Sequence, residues 1–469
     1  MLEGRASFRA VTAGLVVAKL ALHLAVLGRW DLHRDELYFI VCARNPAFGY
    51  VDHPPMIAWV TALFGAPFGY DVHALRLAPA FAGAAAVALT CALVREMGGG
   101  ARAALLAGTC LLAGPVFLRS GSLLCIPVFE PMLWSAAALF AIRLGRRAAP
   151  RAWLALGAIV GLGMMTKHAM VMWVAGLVLG SLFTPLRAAW RTRWPWLAGL
   201  VALTVFAPNA IWQATHDFAT VEFLRTMSRG VLSEISRGLF LAGVLLYTNP
   251  LTVIVSGLGL RETLRRVELR VVGAAFLFSL AVLLVTRGKP YYVAGAFPAL
   301  FAAGAVSIER AWQGVRERRL IYSAGVVALS GVPFALVSLP IVPVEALDRH
   351  LDPFVGSVTA PRNLTGELHD EFGWREQART IVEVARGLDD KDRSRAVVLA
   401  ANYGQASAVE VLARSAGDSW VPPPVSGHMA WFHWGVPEGR GDVAIVIGVR
   451  EDVIRSLYRD VREVARTPS

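Results

Sequence analysis

Long apolar runs alternate with short polar segments over the first 340 residues of the chain. Most runs approach the length of about 17–25 residues with which an α-helix crosses the hydrocarbon layer of a bilayer. The pattern predicts about eleven membrane-spanning helices, at residues 10–28, 76–95, 102–118, 128–142, 152–166, 169–184, 196–212, 239–259, 271–286, 291–308 and 320–339. We therefore expect an α-helical polytopic membrane protein.

The pattern changes after residue 340, where the chain becomes more charged. Residues 374–388 have the periodicity of an amphipathic helix, and residues 395–401 and 442–449 read as buried strands, each followed by a helical pattern. These features predict a small α/β domain.

We expect two domains on this basis. Residues 1–340 form the transmembrane domain, including a long polar loop at residues 31–75, and residues 341–469 form the α/β domain.

The basic residues are concentrated in four short loops between apolar runs. The chain has 46 Lys and Arg against 34 Asp and Glu, although it is 56% hydrophobic. Short basic loops mark the cytoplasmic side of a membrane protein, so the net charge of +12 reflects topology and not a nucleic-acid partner. The loop arginines are Arg143, Arg146, Arg147 and Arg151; Arg187, Arg191 and Arg193; Arg261, Arg265, Arg266 and Arg270; and Arg310, Arg316, Arg318 and Arg319.

With these loops inside, the polar loop at residues 31–75 and the α/β domain lie outside. The polar loop contains Arg34-Asp35-Glu36. Adjacent residues of a helix point about 100° apart, so Asp35 and Glu36 do not face one substrate together. One is a candidate general base and the other is held structurally, with Arg34 as a partner. A solvated loop with capping acids explains the same residues equally well.

Asp52-His53-Pro54-Pro55 reads as a helix start, because Asp caps helices and Pro fits their first turn. Such a start, with His53, offers a small anion site. A capped re-entrant helix without a ligand is the alternative.

Lysine is rare, and two of the four lysines, Lys167 and Lys289, lie at the predicted outer ends of spans. A cation at that position is a functional candidate, with interfacial anchoring as the alternative. Glu130 opens another span, where it either caps the helix or orders these cations.

Six segments together resemble a known family: RDELYF, GYVDHPPMIAW, GLGMMTKHAM, APNAIWQATHDFATVEFL, RGKPYYVAGAFPALFAAGA and NYGQASAVEVL with PPPVSGHMAWFHWG. In order along the chain, they resemble prokaryotic membrane glycosyltransferases of the GT-C superfamily (glycosyltransferase family 39-like). This group includes relatives of protein O-mannosyltransferases and the aminoarabinose transferases of lipid A. The resemblance implies transfer of a sugar from a polyprenyl-phosphate carrier, usually with inversion, on the extracytoplasmic face of the plasma membrane.

The resemblance also implies roles for individual residues. Asp35 is the expected base within the acidic pair Asp35 and Glu36, and His53 matches a phosphate-side position where lipid A enzymes have lysine. Glu130 matches a second loop acid that is commonly Asp. The remaining matches are to a KPYY segment, namely Lys289, Tyr291 and Tyr292.

The expected chemistry needs one base and several cations at the outer rim, where the leaving phosphate is stabilised. We expect phosphate contacts from His53 and Lys289, with Lys167 and Arg287 as weaker candidates, and Asp52 in support. A divalent metal is possible but not favoured, because the hard ligands show no paired spacing.

In the α/β domain, residues 421–435 combine a proline run with aromatic residues. His428, Trp431 and His433 are candidates for contact with a lipid, glycan or protein acceptor, and packing against helices is the alternative. The other function classes are a transporter or channel, which would carry its charges near the membrane midplane, and a non-catalytic assembly protein of the cell envelope.

Overall fold

Apolar sequence becomes helix throughout the first 340 residues. The computed structural model describes residues 2–146, 150–230, 236–314, 318–355, 366–414 and 420–467. It divides into two compact units. The helical unit comprises Met1–Leu27, His53–Ile57 and His73–Val342. The α/β unit comprises Gly28–Asp52, Ala58–Val72 and Pro343–Ser469, so most of the polar loop groups with the C-terminal residues.

The helices up to residue 338 include the predicted spans. In chain order they are α1 (Leu2–Leu24), α2 (Arg34–Arg44), α3 (Met56–Gly65), α4 (Val72–Glu96), α5 (Ala101–Ala113), α6 (Pro115–Ser122), α7 (Phe129–Arg146), α8 (Arg151–Thr166), α9 (Met170–Leu182), α10 (Trp194–Thr215), α11 (Ala219–Arg229), α12 (Arg237–Thr248), α13 (Thr252–Arg265), α14 (Arg270–Thr286), α15 (Phe297–Trp312) and α16 (Arg319–Ser338). Of these, α2, α3 and α11 form in segments that were predicted as loops.

The later elements are shorter. They are α17 (Val344–Val355), α18 (Gly366–His369), α19 (Trp374–Arg386), α20 (Asp390–Arg395), β1 (Ala396–Ala400), α21 (Tyr403–Ala408), β2 (Pro424–Val425), α22 (Trp431–Trp434), β3 (Val443–Ile447) and α23 (Glu451–Leu457).

Within the described residues, seven helices are long and apolar enough to cross a membrane, and ten spans result if each of three bent pairs counts once. The one predicted span that is not among these ten, at residues 152–166, corresponds to α8, an apolar helix of 16 residues. The expectation of a polytopic helical protein is thus confirmed. The predicted spans at residues 102–118 and 239–259 each contain a bend, and the third bend follows the predicted span at residues 169–184.

The three bends occur where the sequence interrupts helical hydrogen bonding. Helices α5 and α6 meet at 65° before Pro115, and α9 meets the 3₁₀ segment Pro185–Arg191 at 99°. Helices α12 and α13 meet at 105°. There Asn249 has a positive φ of 75°, and its side-chain amide donates to the Ala113 carbonyl at 3.2 Å and to Ser330 Oγ at 2.9 Å. Proline and a left-handed Asn both stop a helix locally.

Small residues let helices of this unit approach closely. Gly157 and Gly161 form a GxxxG pair on α8, against α10. A Cβ added at Gly157 would lie 2.3 Å from the Ala198 carbonyl oxygen, and one at Gly161 would lie 2.9 Å from the Ala202 oxygen. Close backbone packing of this kind stabilises helix pairs in a bilayer. The hydrophobic effect does not drive their association there, because the lipid tails are as apolar as the side chains.

One end of the helical unit collects the basic loops. Arg143 pairs with Glu96 at 3.0 Å, Arg266 with Glu268 at 2.7 Å, and Arg310 with Glu262 at 3.1 Å. The fourth loop, in the 3₁₀ segment Pro185–Arg191, packs against α7, whose Gly145 faces Leu186. The four loops therefore lie at the same end, called the arginine end below.

The α/β unit contains a small parallel sheet in the order β2-β1-β3. Val398 in the central strand pairs with Pro424 on one side and Ile445 on the other. Helix α19 packs against the sheet through Ile381. Val409, the first residue of a π-helical segment after α21, belongs to the same hydrophobic core. The predicted amphipathic helix, the two strands and the α/β class are confirmed. The two-residue strand β2 was not predicted.

Candidate active site

The start of α2 separates the two neighbouring acids. His33 caps the helix by accepting a hydrogen bond from the Asp35 N–H at 3.1 Å. Glu36 completes the capping box, because its carboxylate accepts the His33 N–H at 2.9 Å. Glu36 is fully buried, whereas the Asp35 side chain is 35% exposed. Of the two carboxylates, Asp35 is therefore the one that a substrate can reach.

A tyrosine and an arginine flank the Asp35 carboxylate within the α/β unit. The Tyr403 hydroxyl donates to Asp35 Oδ1 at 2.5 Å, and Arg34 Nε lies 3.7 Å from the same oxygen. Arg34 also pairs with Asp370 at 3.3 Å. Burial opposes the charge of Arg34, but Tyr403, Asp35 and Asp370 together raise the pKa of its guanidinium. Burial and the adjacent Asp35 charge both raise the pKa of Tyr403, so its phenol remains a proton donor in the physiological range.

The sheet explains why Tyr403 reaches α2. Asn402 lies two residues after the end of β1 and caps α21 by accepting the Gln405 N–H, so that Tyr403 begins the helix at the carboxyl edge of the sheet. This edge is where open parallel sheets characteristically bind ligands. Helices α2 and α21 pack together, and a Cβ added at Gly404 would lie 3.1 Å from the Cβ of Arg34. The missing side chain at Gly404 allows this close approach.

A second acid of the polar loop lies in the same network. The Tyr38 hydroxyl donates to Asp52 at 2.8 Å and accepts the Ala430 N–H at 3.2 Å. His428, which follows β2 at the carboxyl edge of the sheet, has its ring centroid 5.2 Å from that of Tyr403. Partial burial lowers the pKa of His428, although Asp52 acts in the opposite direction. The lowered pKa favours the neutral imidazole, which can donate or accept a hydrogen bond with a hydroxyl group.

The other two acceptor candidates have different surroundings. The Trp431 ring is buried and its indole N–H donates to Ser407 Oγ at 3.1 Å. His433 is exposed, with its ring 5.4 Å from that of Phe432. Packing accounts for Trp431, so His428 is the member of the predicted set that lies beside the acids.

Lys167 is the centre of a second cluster, in the helical unit. Its ammonium group bonds Glu130 at 2.7 Å and lies 4.0 Å from the Tyr292 ring centroid and 5.7 Å from that of Tyr291. Glu130 is buried, and Arg146 at the other end of α7 belongs to the arginine end. Helix α7 has 18 residues, a length of about 27 Å. The lysine cluster therefore lies at the opposite end of the unit, called the lysine end below.

Lys289 belongs to the lysine end through the same tyrosine. Its ammonium group lies 5.8 Å from the Tyr291 ring centroid. Among the described residues, Lys289 has no carboxylate within ion-pair distance, and its side chain is partly exposed. Arg287 is exposed and ends α14 in a left-handed conformation with φ 55°. Both residues precede the 3₁₀ segment Pro290–Ala296 that carries the tyrosines.

Two histidines of the helical unit each have a polar partner. His53 is buried, and its Nδ1 lies 2.8 Å from the Pro54 carbonyl oxygen. His168 Nε2 lies 3.1 Å from Asn209 Oδ1. Across the described ranges, no group of three or more His, Cys, Asp or Glu side chains is arranged to hold a metal ion.

Sequence reasoning missed Tyr403, Tyr38 and Asp370. Tyr403 is separated from Asp35 by 368 positions, and no local periodicity reports such a contact. The available signal was the polar NYGQ segment directly after a buried strand, where ligand contacts of parallel sheets arise.

Residues 52–212 match the family model described as dolichyl-phosphate-mannose-protein mannosyltransferase. A lipid A galacturonosyltransferase, RgtD of Rhizobium johnstonii, is 32% identical over 202 residues, which cover 41% of this chain and 40% of that protein. The chain thus spans less than half the length of this curated relative.

Solved structures are similar over more of the chain. ArnT from Cupriavidus metallidurans bound to undecaprenyl phosphate matches with a TM-score of 0.58 at 18% identity, covering 88% of this chain and 89% of that chain. The oligosaccharyltransferase of Archaeoglobus fulgidus matches with a TM-score of 0.54 at 13% identity, covering 88% of this chain and 62% of that chain. The resemblance inferred from the motifs is confirmed: in fold and in sequence this chain is similar to the GT-C, family 39-like membrane glycosyltransferases.

Proposed function

We propose that this protein is a membrane glycosyltransferase that moves a sugar from a polyprenyl-phosphate carrier to an acceptor hydroxyl on the extracytoplasmic face. Asp35 acts as general base and the sugar is inverted. The family match and the relatives support the reaction class. The undecaprenyl phosphate bound to ArnT, whose fold this chain shares, supports the class of carrier.

In the proposed reaction, the acceptor oxygen forms a bond to the anomeric carbon of the sugar. The bond between that carbon and the phosphate oxygen breaks, and polyprenyl phosphate leaves with the electron pair. The proton of the acceptor hydroxyl passes to Asp35. Because the acceptor attacks from the face opposite the leaving phosphate, the configuration of the anomeric carbon inverts.

The observation that carries the proposal is the difference between Asp35 and Glu36. Glu36 is fully buried in the cap of α2, so it is held away from a substrate. Asp35 keeps about a third of its side chain exposed and is fixed by Tyr403 and Arg34. A general base needs both access to the hydroxyl and a fixed direction, since a positioned base contributes roughly 10²–10⁴-fold to a rate.

The departing phosphate needs cations that are held in advance. Lys167 and Lys289 at the lysine end are the proposed phosphate ligands, together with His53 and with Arg287 as a weaker contributor. Tyr291 and Tyr292 present ring faces to the ammonium groups and so hold them without neutralising their charge. Glu130 holds Lys167 from the other side.

Acceptor recognition is proposed for the α/β unit. His428 beside Tyr403 is suited to bond a hydroxyl of a lipid, glycan or protein acceptor. Trp431 and His433 of the same segment retain a weaker proposed role in shaping this surface.

The experiment measures release of polyprenyl phosphate from a radiolabelled polyprenyl-phosphate sugar by the purified protein in nanodiscs, with and without a hydroxyl acceptor. Asp35→Asn keeps the shape of the side chain and removes the proton acceptor, so turnover should fall by roughly 10²–10⁴-fold while donor lipid still binds. Asp460→Asn, an exposed acid of the same unit, is the matched control. Normal turnover of Asp35→Asn would refute the proposed base, and no turnover by the wild-type protein with any donor would favour a transporter or an assembly protein.

Sidedness has its own test. Single cysteines at the exposed positions Asn45 and Lys391, in a variant without the native cysteines, should react with an impermeant thiol reagent in intact cells. A cysteine at the exposed Thr192, next to the arginine loop, should react only after the membrane is opened. The reverse labelling pattern would contradict an extracytoplasmic site.

A further inference from the structure

Tyr403, the first residue of α21 in the α/β unit, donates a hydrogen bond to Asp35, the proposed general base. We infer that Tyr403 is a positioning residue for sugar transfer, whose phenol orients the Asp35 carboxylate, so that the α/β unit supplies part of the catalytic apparatus. The inference rests on the proposed role of Asp35 as base.

The geometry favours orientation over simple packing. The phenol bonds one oxygen of Asp35 at 2.5 Å, which is short for a hydrogen bond between neutral groups and typical of O–H donation to a carboxylate. With Oδ1 fixed, the carboxylate loses its rotation and the direction of its second oxygen is determined. Tyr403 is itself fixed because Asn402 caps its helix and Gly404 lets that helix approach α2.

The hydroxyl can be separated from the ring. The Tyr403 ring packs 5.0 Å from Tyr38 and 5.2 Å from His428 between centroids, and the Arg34 guanidinium lies 5.8 Å from its centre. Phenylalanine would keep these contacts with the ring and remove only the donor to Asp35. Tyr403→Phe is therefore a specific test of the hydroxyl.

Several charged groups face Asp35. Together with Tyr403 they determine how the pH dependence of the rate changes when the Tyr403 hydroxyl is removed. His33 and Arg34 face it from the start of α2, and Asp370 from the segment before α19. Tyr403 faces it from α21 and stabilises the ionised carboxylate over the protonated form by donating a hydrogen bond. A base works in its ionised form, so loss of this donor should move the acid limb of the rate profile to higher pH.

The test compares the pH dependence of kcat/KM for wild type and Tyr403→Phe in nanodiscs. The free energy of a hydrogen bond to a charged group is equivalent to a shift of roughly one pH unit. The acid limb of the profile should therefore move to higher pH by about that amount. At the pH optimum kcat should fall several-fold, with the donor KM unchanged. Tyr458→Phe is the matched control, since Tyr458 donates to the Gly441 carbonyl at 3.0 Å in the same unit.

Three outcomes distinguish the inference from the proposed function. A moved acid limb in Tyr403→Phe with none in Tyr458→Phe supports the inference. A uniform fall in kcat with an unmoved limb, in a variant of unchanged thermal unfolding midpoint, overturns it and leaves Asp35 as the base if Asp35→Asn is inactive. Retained turnover in Asp35→Asn overturns the proposed base and the inference together.

Discussion

The two ends of the helical unit hold their cations differently. At the arginine end, Arg266 bonds Glu268 through two nitrogens and donates to the Met97 carbonyl at 3.0 Å. Glu309 accepts the Gly100 and Ala103 N–H groups at the start of α5. At the lysine end, Lys167 has one carboxylate partner and two tyrosine ring faces.

The difference follows from the chemistry of the two side chains. A guanidinium is planar and presents its N–H donors in a fixed, fork-shaped arrangement that suits carboxylate and carbonyl acceptors. Pairs of this kind connect one loop to another. An ammonium group against aromatic rings keeps its charge and most of its donors. We interpret the arginine end as a set of contacts that stabilise the fold and the lysine end as a phosphate site. Each interpretation can be tested by substitution.

Of the two ends, the larger effect on transfer is expected at the lysine end, at Lys167. Removing it should slow transfer by roughly 10²–10³-fold, the usual scale for losing one preorganised group that stabilises developing charge. Lys167→Met alone leaves Glu130 buried without its partner, so the double variant Lys167→Met with Glu130→Gln protects the fold.

Turnover and the thermal unfolding midpoint should be measured together in both variants. A double variant that is folded and transfers sugar at the wild-type rate would reduce Lys167 to an interfacial anchor. Arg143→Gln, which breaks an ion pair at the arginine end, is the control and should leave the transfer rate unchanged.

A smaller effect, on stability alone, is expected at the arginine end. Arg266→Gln removes the two hydrogen bonds that the guanidinium donates to Glu268 Oε1, at a position where the arginine is only 18% exposed. The free energy of unfolding should fall by about 1–3 kcal/mol, seen as a lower midpoint in detergent, while donor KM stays constant. Arg266→Lys should recover only part of the loss, because an ammonium group cannot form the fork. A change in donor KM without a change in midpoint would contradict the structural interpretation.

The sequence was most informative where one local pattern determines the outcome. Apolar length predicted the helices, and basic loops predicted that α7, α13, α15 and their neighbours share one end. The bends were missed because helix length alone does not reveal a break, although Pro115 and the Asn249-Pro250 pair mark two of them. The strand β2 was missed because two residues of a proline run carry no alternation.

The candidate site was predicted only in part for the same reason. The Asp35–Glu36 pair was recognisable, but choosing between its members required the burial of Glu36 in the cap of α2. The partners Tyr403 and Asp370 come from distant parts of the chain. Trp431 looked like a sugar-binding aromatic, whereas its hydrogen bond to Ser407 in the interior could not be read from sequence.

The central claim is that the lysine end, and not the arginine end, holds a polyprenyl phosphate. Native mass spectrometry of the protein purified in mild detergent tests it most directly, by detecting co-purified lipid on wild type, on the lysine variant Lys167→Met/Glu130→Gln/Lys289→Ala and on Arg310→Gln. We predict a polyprenyl-phosphate or polyprenyl-phosphate-sugar adduct on wild type and Arg310→Gln that is lost from the lysine variant. An adduct that persists on the folded lysine variant, or that is lost from Arg310→Gln instead, would contradict the account.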